Sequence, residues 1–195
     1  MEDFRNIFSK NDKENPTDRL ENDNENEITN LVKEAIKGSY EAFGQLYRLY
    51  VQQIFRYVYY QVGDRMTAED ITADVFVKAL DHIKSCAGKE STFKAWLYRI
   101  AHNRVIDYFR GRRKYLSLEA NIGNFKQEPG KGVEGREILD VVSELPNNQR
   151  QVIILKFVAG LSNPEVALVM SKSQGAIRIT QMRALNSLKK KLSGK

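Results

Sequence analysis

The residues with the clearest chemical potential lie along one side of a predicted helix at residues 93–114. They recur at steps of three and four, which aligns side chains on one helical face: Trp96, Arg99, Asn103, Asp107 and Arg110. Aromatic rings and guanidinium groups stack on unpaired bases, and amides and carboxylates hydrogen-bond to base edges. This stripe predicts a surface for single-stranded nucleic acid. A core helix with a solvated, charged flank is the alternative, since basic residues also complement a helix C-terminus.

The helix that carries the stripe has a second, apolar face. Six residues at helical spacing predict the side that packs on a core: Phe93, Leu97, Ile100, Ala101, Val105 and Tyr108. The same segment contains five aromatic and seven basic residues. We therefore expect a packed helix that presents stacking surface and positive charge together.

The helix before it, predicted to begin at Thr67 with Asp70 as a capping partner, carries three acidic residues in its first half: Glu69, Asp70 and Asp74. Carboxylates favour a helix N-terminus for dipole reasons alone. The alternative is a docking surface for a basic or polar partner helix, with Asp74 and Phe76 exposed to it. Apolar periodicity predicts the buried side of this helix, with Phe76 and Leu80 beside the main series: Ile71, Val75, Ala79 and Ile83.

Near the C-terminus, two predicted helices are joined by a short turn. Ser162 and Glu165 form a capping-box pattern with Pro164 in the first turn, and a second helix begins at Gln174 after Ser171–Ser173. A short helix, a tight turn and a longer basic helix predict a helix-turn-helix. Opposite its apolar side, the second helix carries residues suited to base edges, phosphates and thymine methyl groups: Arg178, Ile179, Met182, Arg183 and Asn186. A generic helical hairpin is the alternative.

Composition and charge predict an all-α protein with two small domains. The chain has 195 residues and a net charge of +6. Residues 1–30 carry a net charge of −5, so the remainder carries +11 and favours nucleic acid as a partner. We predict a disordered acidic tail at 1–27, a first domain at 28–114, a flexible linker at 115–135 and a second domain at 136–195.

Several classes of function find no support in the sequence. Cys86 is the single cysteine, and His82 and His102 are the two histidines, so no metal site or disulfide is expected. There is no phosphate-cradling glycine loop and no nucleophile-base pair, and we expect neither a cofactor nor enzymatic activity. Apolar runs are too short for a membrane span, and the N-terminus lacks a secretory signal, so we expect a cytoplasmic protein without membrane insertion.

Together these segments resemble bacterial RNA polymerase sigma factors of the two-domain, extracytoplasmic-function group. The resemblance rests on AFGQLYRLY, TAEDITADVFVKAL and FKAWLYRIAHNRVIDYFR in the first domain and on LPNNQRQVIILKFVAGLSNPEVALVMSKSQGAIRITQMRALNSL in the second. It implies a sigma region 2-like helical bundle joined to a region 4-like helix-turn-helix domain. The implied function is to bind core RNA polymerase, direct it to specific promoters and help open the minus-10 region.

The resemblance also implies roles for individual residues. The clamp helices of the largest polymerase subunit would be bound by Glu69, Asp70, Asp74, Val75 and Phe76. The minus-10 element would be contacted by Trp96, Arg99, Asn103, Asp107, Arg110, Arg112 and Arg113. The minus-35 element would be contacted by Ser173, Gln174, Arg178, Ile179, Met182, Arg183 and Asn186. The polymerase flap region, promoter DNA and an anti-sigma factor are the further partners implied.

Two features separate this chain from the family pattern. Thr180 and Gln181 stand where many relatives have a basic residue and a leucine, which bears on the minus-35 sequence recognised. The acidic tail is an addition to the common pattern. The alternative function is a free-standing helix-turn-helix transcriptional regulator, but such a protein has no need for an exposed stripe suited to unpaired bases.

Overall fold

The computed structural model describes residues 16–118, 142 and 144–193, and within them it contains helices and turns but no strand. Side chains are described for 25–112, 142 and 144–191. The α-helices are α1 (Pro16–Ile36), α2 (Tyr40–Val62), α3 (Arg65–His82), α4 (Phe93–Leu118), α5 (Asn147–Ile153), α6 (Asn163–Met170) and α7 (Gln174–Ser193). The all-α prediction is confirmed.

Helices α1 to α4 form the first domain around a shared apolar core. Ser39 caps α2 by accepting a hydrogen bond from the Ala42 N–H at 3.2 Å. Large apolar side chains from three helices are fully buried, among them Ile54 of α2, Val75 of α3 and Leu97 of α4. Such burial is the main source of stability for helices of this length, and it fixes the α3 and α4 surfaces relative to each other.

Helix α3 begins two residues before the predicted start. Its N-cap is Asp64, whose carboxylate accepts a hydrogen bond from the Thr67 N–H at 2.8 Å. Hydrogen bonds from Thr67 and from the Arg65 backbone lower the pKa of the Asp64 carboxyl. The predicted capping pair of Thr67 and Asp70 is therefore wrong. An aspartate at N-cap satisfies the same orphan N–H group that the threonine would have reached.

Helix α1 begins at Pro16, so the predicted disordered tail is corrected for residues 16–27. Proline suits the first helical position because its missing N–H would be unpaired there anyway. The Asn- and Glu-rich stretch was assigned to the tail because it offers little to bury. Its residues 25–27 are exposed, and the helix continues into the packed segment around Val32. Residues 1–15 lie outside the described part of the chain.

Helix α4 starts at Phe93, where the sequence places it, after two short 3-10 turns at Ile83–Cys86 and Glu90–Thr92. It continues to Leu118, four residues past the predicted domain boundary, so 115–118 are helical rather than linker. The rest of the predicted linker, up to residue 135, lies outside the described residues.

The second domain contains the predicted helix-turn-helix. Ser162 and Glu165 form a reciprocal capping box at the start of α6, with the Ser162 N–H donating to the Glu165 carboxylate at 2.7 Å. Ser171 adopts a left-handed conformation with φ of 52°, which turns the chain into α7. Before the capping box, α5 passes at Ile154–Val158 into a π-helical turn, in which the Ala159 N–H donates to the Ile154 carbonyl at 3.0 Å.

The two domains pack against each other, an arrangement that the sequence did not predict. Helix α6 contacts α4, and the π-helical turn contacts α2. Buried residues of both domains form one continuous apolar cluster. A cleft of about 440 Å³ lies at this junction, with Lys94 and three carboxylates in its wall: Glu25, Glu90 and Glu165. Burial and the nearby Glu165 and Glu25 raise the pKa of the Tyr50 phenol to about 12.

Candidate nucleic-acid and polymerase interfaces

The predicted base-contacting stripe is present on the surface of α4. Arg99, Asn103, Asp107 and Arg110 are exposed, whereas Trp96 is half-buried. The Trp96 ring lies 5.6 Å from that of Phe93, centroid to centroid, so the core supports it from behind. An indole with one packed face and one accessible edge is preorganised for contact with a base, at a low entropic cost. The roles of the five stripe residues in DNA binding remain predictions.

Basic residues at the end of the stripe have different surroundings. Arg110 donates to the Asp107 carboxylate at 3.2 Å, one helical turn away. Arg112 is half-buried and contacts the Tyr108 hydroxyl at 3.2 Å. The Arg113 side chain lies outside the described residues. Exposed ion pairs of this kind stabilise a protein by about 1 kcal/mol at most, so Arg110 can exchange its partner for a phosphate at little cost.

Helix α4 has a second buried face that the sequence analysis missed. Tyr98 and His102, one turn apart, are buried against α2, and the Tyr57 hydroxyl lies 3.1 Å from His102 Nδ1. The rings of Tyr57 and Tyr98 meet edge to face at 5.4 Å. Burial, with the ammonium of Lys172 nearby, lowers the pKa of His102 to about 4. The i, i+4 spacing of a tyrosine and a histidine beside the apolar face was the available signal.

The acidic residues assigned to a docking surface on α3 are accessible, and their role in binding stays a prediction. Glu69, Asp70 and Asp74 are exposed. Glu69 accepts from Arg65 Nε at 2.9 Å within α3, and Asp74 pairs with Arg104 of α4. These carboxylates are therefore accessible to a partner, although two of them already hold an arginine.

Val75 and Phe76, also assigned to the polymerase-binding set, are buried and cannot contact a partner in this structure. Val75 is completely covered, and Phe76 is 5% exposed with its ring edge-on to Tyr47 at 4.8 Å. Their assignment to the binding set is corrected. The expectation that Phe76 is exposed was wrong, because the apolar face of α3 is wide enough to include it, as the periodicity indicated.

Other apolar residues of α3 are available instead. Val77 is 59% exposed, and Leu80, which was expected to be buried, is 37% exposed. Both follow the carboxylates along the outer face of the helix. A groove of about 250 Å³ runs beside this face between α2 and α3, with Tyr47, Phe55 and Thr72 in its wall. Exposed apolar residues next to accessible carboxylates are typical of a docking surface.

Helix α7 presents the predicted minus-35 residues to solvent. All seven are exposed: Ser173, Gln174, Arg178, Ile179, Met182, Arg183 and Asn186. Ile177 and Ala184 are buried on the opposite side, and Leu188 is half-buried, as expected. The Ser173 hydroxyl accepts from the Ala176 N–H at 3.2 Å and so starts the helix. Polar, cationic and apolar groups along one side of a helix suit contact with a DNA major groove.

The two residues that depart from the family pattern face away from this surface. Thr180 is half-buried and donates its hydroxyl to the Ala176 carbonyl at 2.7 Å, within its own helix. Gln181 is also half-buried. Thr180 therefore offers DNA less hydrogen-bonding capacity than its type suggests.

Metal binding and membrane insertion find no structural basis in the described part of the chain. No group of three or more His, Cys, Asp or Glu side chains is arranged to hold a metal ion there. No helix among those residues combines the length and apolar character needed to cross a membrane.

Comparison with known protein families matches both domains. Residues 46–115 match Sigma-70 region 2, which includes α3 and the whole α4 stripe. Residues 135–188 match Sigma-70 region 4, which includes α6 and the exposed face of α7. The two matches follow the domain order inferred from the sequence.

Individual relatives agree with these matches. The chain is 38% identical over 166 residues to the ECF RNA polymerase sigma factor BldN of Streptomyces coelicolor, covering 81% of this chain and 63% of the relative. It is 30% identical over 151 residues to the ECF RNA polymerase sigma factor SigM of Bacillus subtilis, covering 74% of this chain and 91% of that protein.

A solved structure supports the fold. CnrH, in complex with the cytosolic domain of CnrY, superposes with a TM-score of 0.67 at 24% identity, covering 87% of this chain and 99% of CnrH. With the region 2 and region 4 matches and the similarity to SigM, these findings confirm the resemblance seen in the sequence. The chain belongs to the extracytoplasmic-function (ECF) group of RNA polymerase sigma factors.

Proposed function

We propose that this protein binds core RNA polymerase, directs it to specific promoters and helps to open the minus-10 region. The observation that carries the proposal is the presence of two chemically different exposed surfaces on one chain. Helix α4 exposes groups suited to unpaired bases, whereas α7 exposes groups suited to an intact duplex. A protein needs both kinds of surface only when it recognises DNA before and during strand separation.

The acidic face of α3 is the proposed polymerase contact. Its accessible groups are the carboxylates of Glu69, Asp70 and Asp74 together with the apolar Val77 and Leu80. The clamp helices of the largest subunit are the proposed partner of this face, and the flap region is the proposed partner of the second domain. An anti-sigma factor is a further proposed partner. The protein itself contributes binding energy rather than covalent chemistry.

The closed arrangement of the two domains supports the proposal that sequence-specific DNA binding requires core polymerase. Helix α6 packs on α4, which holds the second domain against the helix that carries the stripe. A single small helix-turn-helix also provides few DNA contacts. We therefore expect the free protein to bind duplex DNA weakly and to acquire sequence specificity with core polymerase.

Run-off transcription tests this function directly. Core polymerase is supplied with fragmented genomic DNA, with and without the protein, and the 5′ ends of the transcripts are sequenced. The expected result is a set of protein-dependent start sites that share a two-part upstream sequence. Asn103→Ala should reduce these transcripts, whereas Gln53→Ala should not, because within the described part of the chain that exposed amide donates to the Leu49 carbonyl of its own helix and lies outside the stripe.

Two outcomes would contradict the proposal. The same start sites without the protein would remove the promoter-recognition role. A tight, sequence-specific complex of the protein with duplex DNA in the absence of polymerase would indicate a free-standing regulator instead.

A further inference from the structure

An ion pair connects the proposed polymerase surface to the proposed DNA surface. Arg104 of α4 donates to the carboxylate of Asp74 on α3. Arg104 lies three residues before Asp107 on α4 and so borders the base-contacting stripe, while Asp74 belongs to the acidic face of α3. The sequence analysis assigned no role to Arg104. The Asp74–Arg104 ion pair therefore joins the acidic face of α3 to the edge of the stripe on α4.

The paired guanidinium is incompletely used. Arg104 Nε is buried and has no hydrogen-bond partner among the described residues. The side chain of Arg104 is 28% exposed and that of Asp74 is 50% exposed, so water reaches the pair. Ion pairs that water reaches are weak, holding their partners by a factor of about five or less. A new partner that also accepts a hydrogen bond from the Nε–H would therefore bind Arg104 more favourably than Asp74 does.

A phosphate group would use this side chain better. The guanidinium presents Nε–H and Nη–H groups as a planar fork that matches phosphate bidentately. One helical turn from Asp107, the fork lies at the edge of the stripe that is proposed to contact a bound strand. Positive charge at such a position contributes sequence-independent affinity through counterion release.

We propose that Arg104 is a further DNA contact, held back by Asp74 in the free protein and released when polymerase docks on α3. The inference rests on the proposed function. A basic polymerase side chain that engages the Asp74 carboxylate replaces Arg104 there, and the freed guanidinium binds a backbone phosphate beside the stripe. Because coupling between two binding sites is reciprocal, DNA bound through Arg104 also leaves Asp74 open to polymerase.

The first experiment uses the free full-length chain. Binding to a fluorescent single-stranded oligonucleotide is titrated over a range of salt concentrations for Asp74→Ala and for the matched control Asp70→Ala. Both remove one exposed negative charge from α3, but only Asp74 holds Arg104. We expect Asp74→Ala to bind more tightly than Asp70→Ala, with a log-log salt slope steeper by about 0.7, the value for one additional phosphate contact on a single strand.

A second variant identifies the group responsible. Adding Arg104→Gln to Asp74→Ala should return both the affinity and the salt slope to those of Asp70→Ala. Arg104→Gln alone should weaken DNA binding by the free protein only slightly, because Asp74 holds the guanidinium for most of the time. Circular dichroism melts show that each variant is folded. Equal binding by the two alanine variants, or a difference that persists without Arg104, would overturn the proposal.

The holoenzyme provides the other half of the test. With core polymerase on a promoter found by run-off transcription, Arg104→Gln should lower open-complex occupancy several-fold, a larger loss than in the free protein. No loss in the holoenzyme, or an equal loss in both forms, would show that polymerase does not release Arg104. If the wild-type protein gives no promoter-specific transcripts, the proposed function itself fails, whereas the free-chain comparison still reports whether Asp74 restrains Arg104.

Discussion

At the scale of single residues, exposure separates the groups that contact partners from the groups that hold the fold. Asn103 is exposed on α4, whereas Trp96 is half-buried against Phe93. Their contributions to promoter opening should differ for that reason. Trp96 offers stacking surface that competes with neighbouring bases, while the Asn103 amide offers hydrogen bonds to an edge that is accessible only after a base leaves the duplex.

A promoter with an artificial bubble distinguishes these roles. Stacking on an aromatic side chain contributes about 1–3 kcal/mol per base, so Trp96→Ala should lower open-complex occupancy on duplex promoters about tenfold or more. A premelted template removes the energetic demand for strand separation and should partly rescue Trp96→Ala. Asn103→Ala should stay defective, because the unpaired base is still present but no longer contacted. Permanganate footprinting and abortive transcription measure both.

Identical defects of Trp96→Ala and Asn103→Ala on duplex and bubble templates would contradict this assignment. Helix α4 would then be a scaffold whose damage affects both templates equally. Arg56→Ala, an exposed basic residue of α2, is the control for a general loss of positive charge.

Phe76 and Val77 give a second residue-scale prediction, since they are adjacent in sequence but differ in burial. Phe76→Ala should lower the free energy of unfolding by about 3–5 kcal/mol, because it removes a buried ring that packs on Tyr47. Val77→Ala should change stability by about 0.5 kcal/mol or less, yet weaken binding to core polymerase, since that side chain is exposed on the proposed docking face. Urea denaturation and co-purification with core enzyme measure the two effects.

Phe76→Leu is the variant that decides between packing and direct contact. It keeps most of the buried volume, so stability and polymerase binding should both return close to wild type. Wild-type stability together with a persistent loss of polymerase binding would indicate that the phenyl ring itself contacts polymerase, and the burial argument would be wrong.

At the scale of elements, local signals in the sequence were sufficient for several helix ends and for the exposed faces. The Ser162 and Glu165 capping box and the start of α4 at Phe93 depend on residues within one turn, and both were predicted. The start of α3 was missed because Asp64 and Thr67 are both competent caps, and the choice depends on the chain that precedes them.

Tertiary structure decided what periodicity could not. Periodicity shows that α3 has an apolar side. How deeply the residues at the edges of that side are buried depends on the packing of α2 and α4, which buries Phe76 and leaves Leu80 37% exposed. The π-helical turn at Ile154–Val158 follows from contacts with α2 that lie far away in sequence. The pair of Asp74 and Arg104, thirty residues apart, also needs the α3 and α4 packing to exist. No local pattern contains that information.

At the scale of the whole molecule, the closed packing of the two domains is incompatible with reading both promoter elements at once. By their names, minus-10 and minus-35 elements lie about 25 base pairs apart, or roughly 85 Å at 3.4 Å per base pair. Helix α6 contacts α4 directly, so the two domains touch in this structure. The proposed reading of both elements at once therefore requires the domains to separate, and a segment as long as residues 119–141 spans roughly 75 Å when fully extended, which is of the order of the distance required.

His102 lies where this separation should be felt. It is buried on α4 beside Tyr57 of α2, and the ammonium of Lys172 in the second domain is near enough to act on it electrostatically. Burial first, and the ammonium second, disfavour the imidazolium, so the pKa falls to about 4 from its ordinary value of 6.5. Moving the second domain away removes the ammonium. The imidazole is therefore more basic in the open arrangement than in the closed one.

The sign of the pH dependence follows from that difference. Above pH 6.5 the imidazole is neutral in both arrangements and has no effect. Between pH 6.5 and about 4 the open or unfolded chain binds a proton that the closed form excludes, so closure weakens as the pH falls and the loss is complete below the closed-state pKa. The full shift corresponds to an upper limit of about 3 kcal/mol. Energy transfer between dyes on the two domains should therefore decrease over this window.

Glutamine at position 102 keeps a polar side chain of similar size but cannot titrate, so His102→Gln should remove most of this pH dependence. His82→Gln is the matched control, because His82 is exposed at the end of α3 and should leave the transition unchanged. The carboxylates of Glu25, Glu90 and Glu165 in the wall of the interdomain cleft are present in both variants, so the comparison cancels any contribution that they make. An unchanged transition in His102→Gln would show that those carboxylates, rather than the buried imidazole, control the separation of the domains.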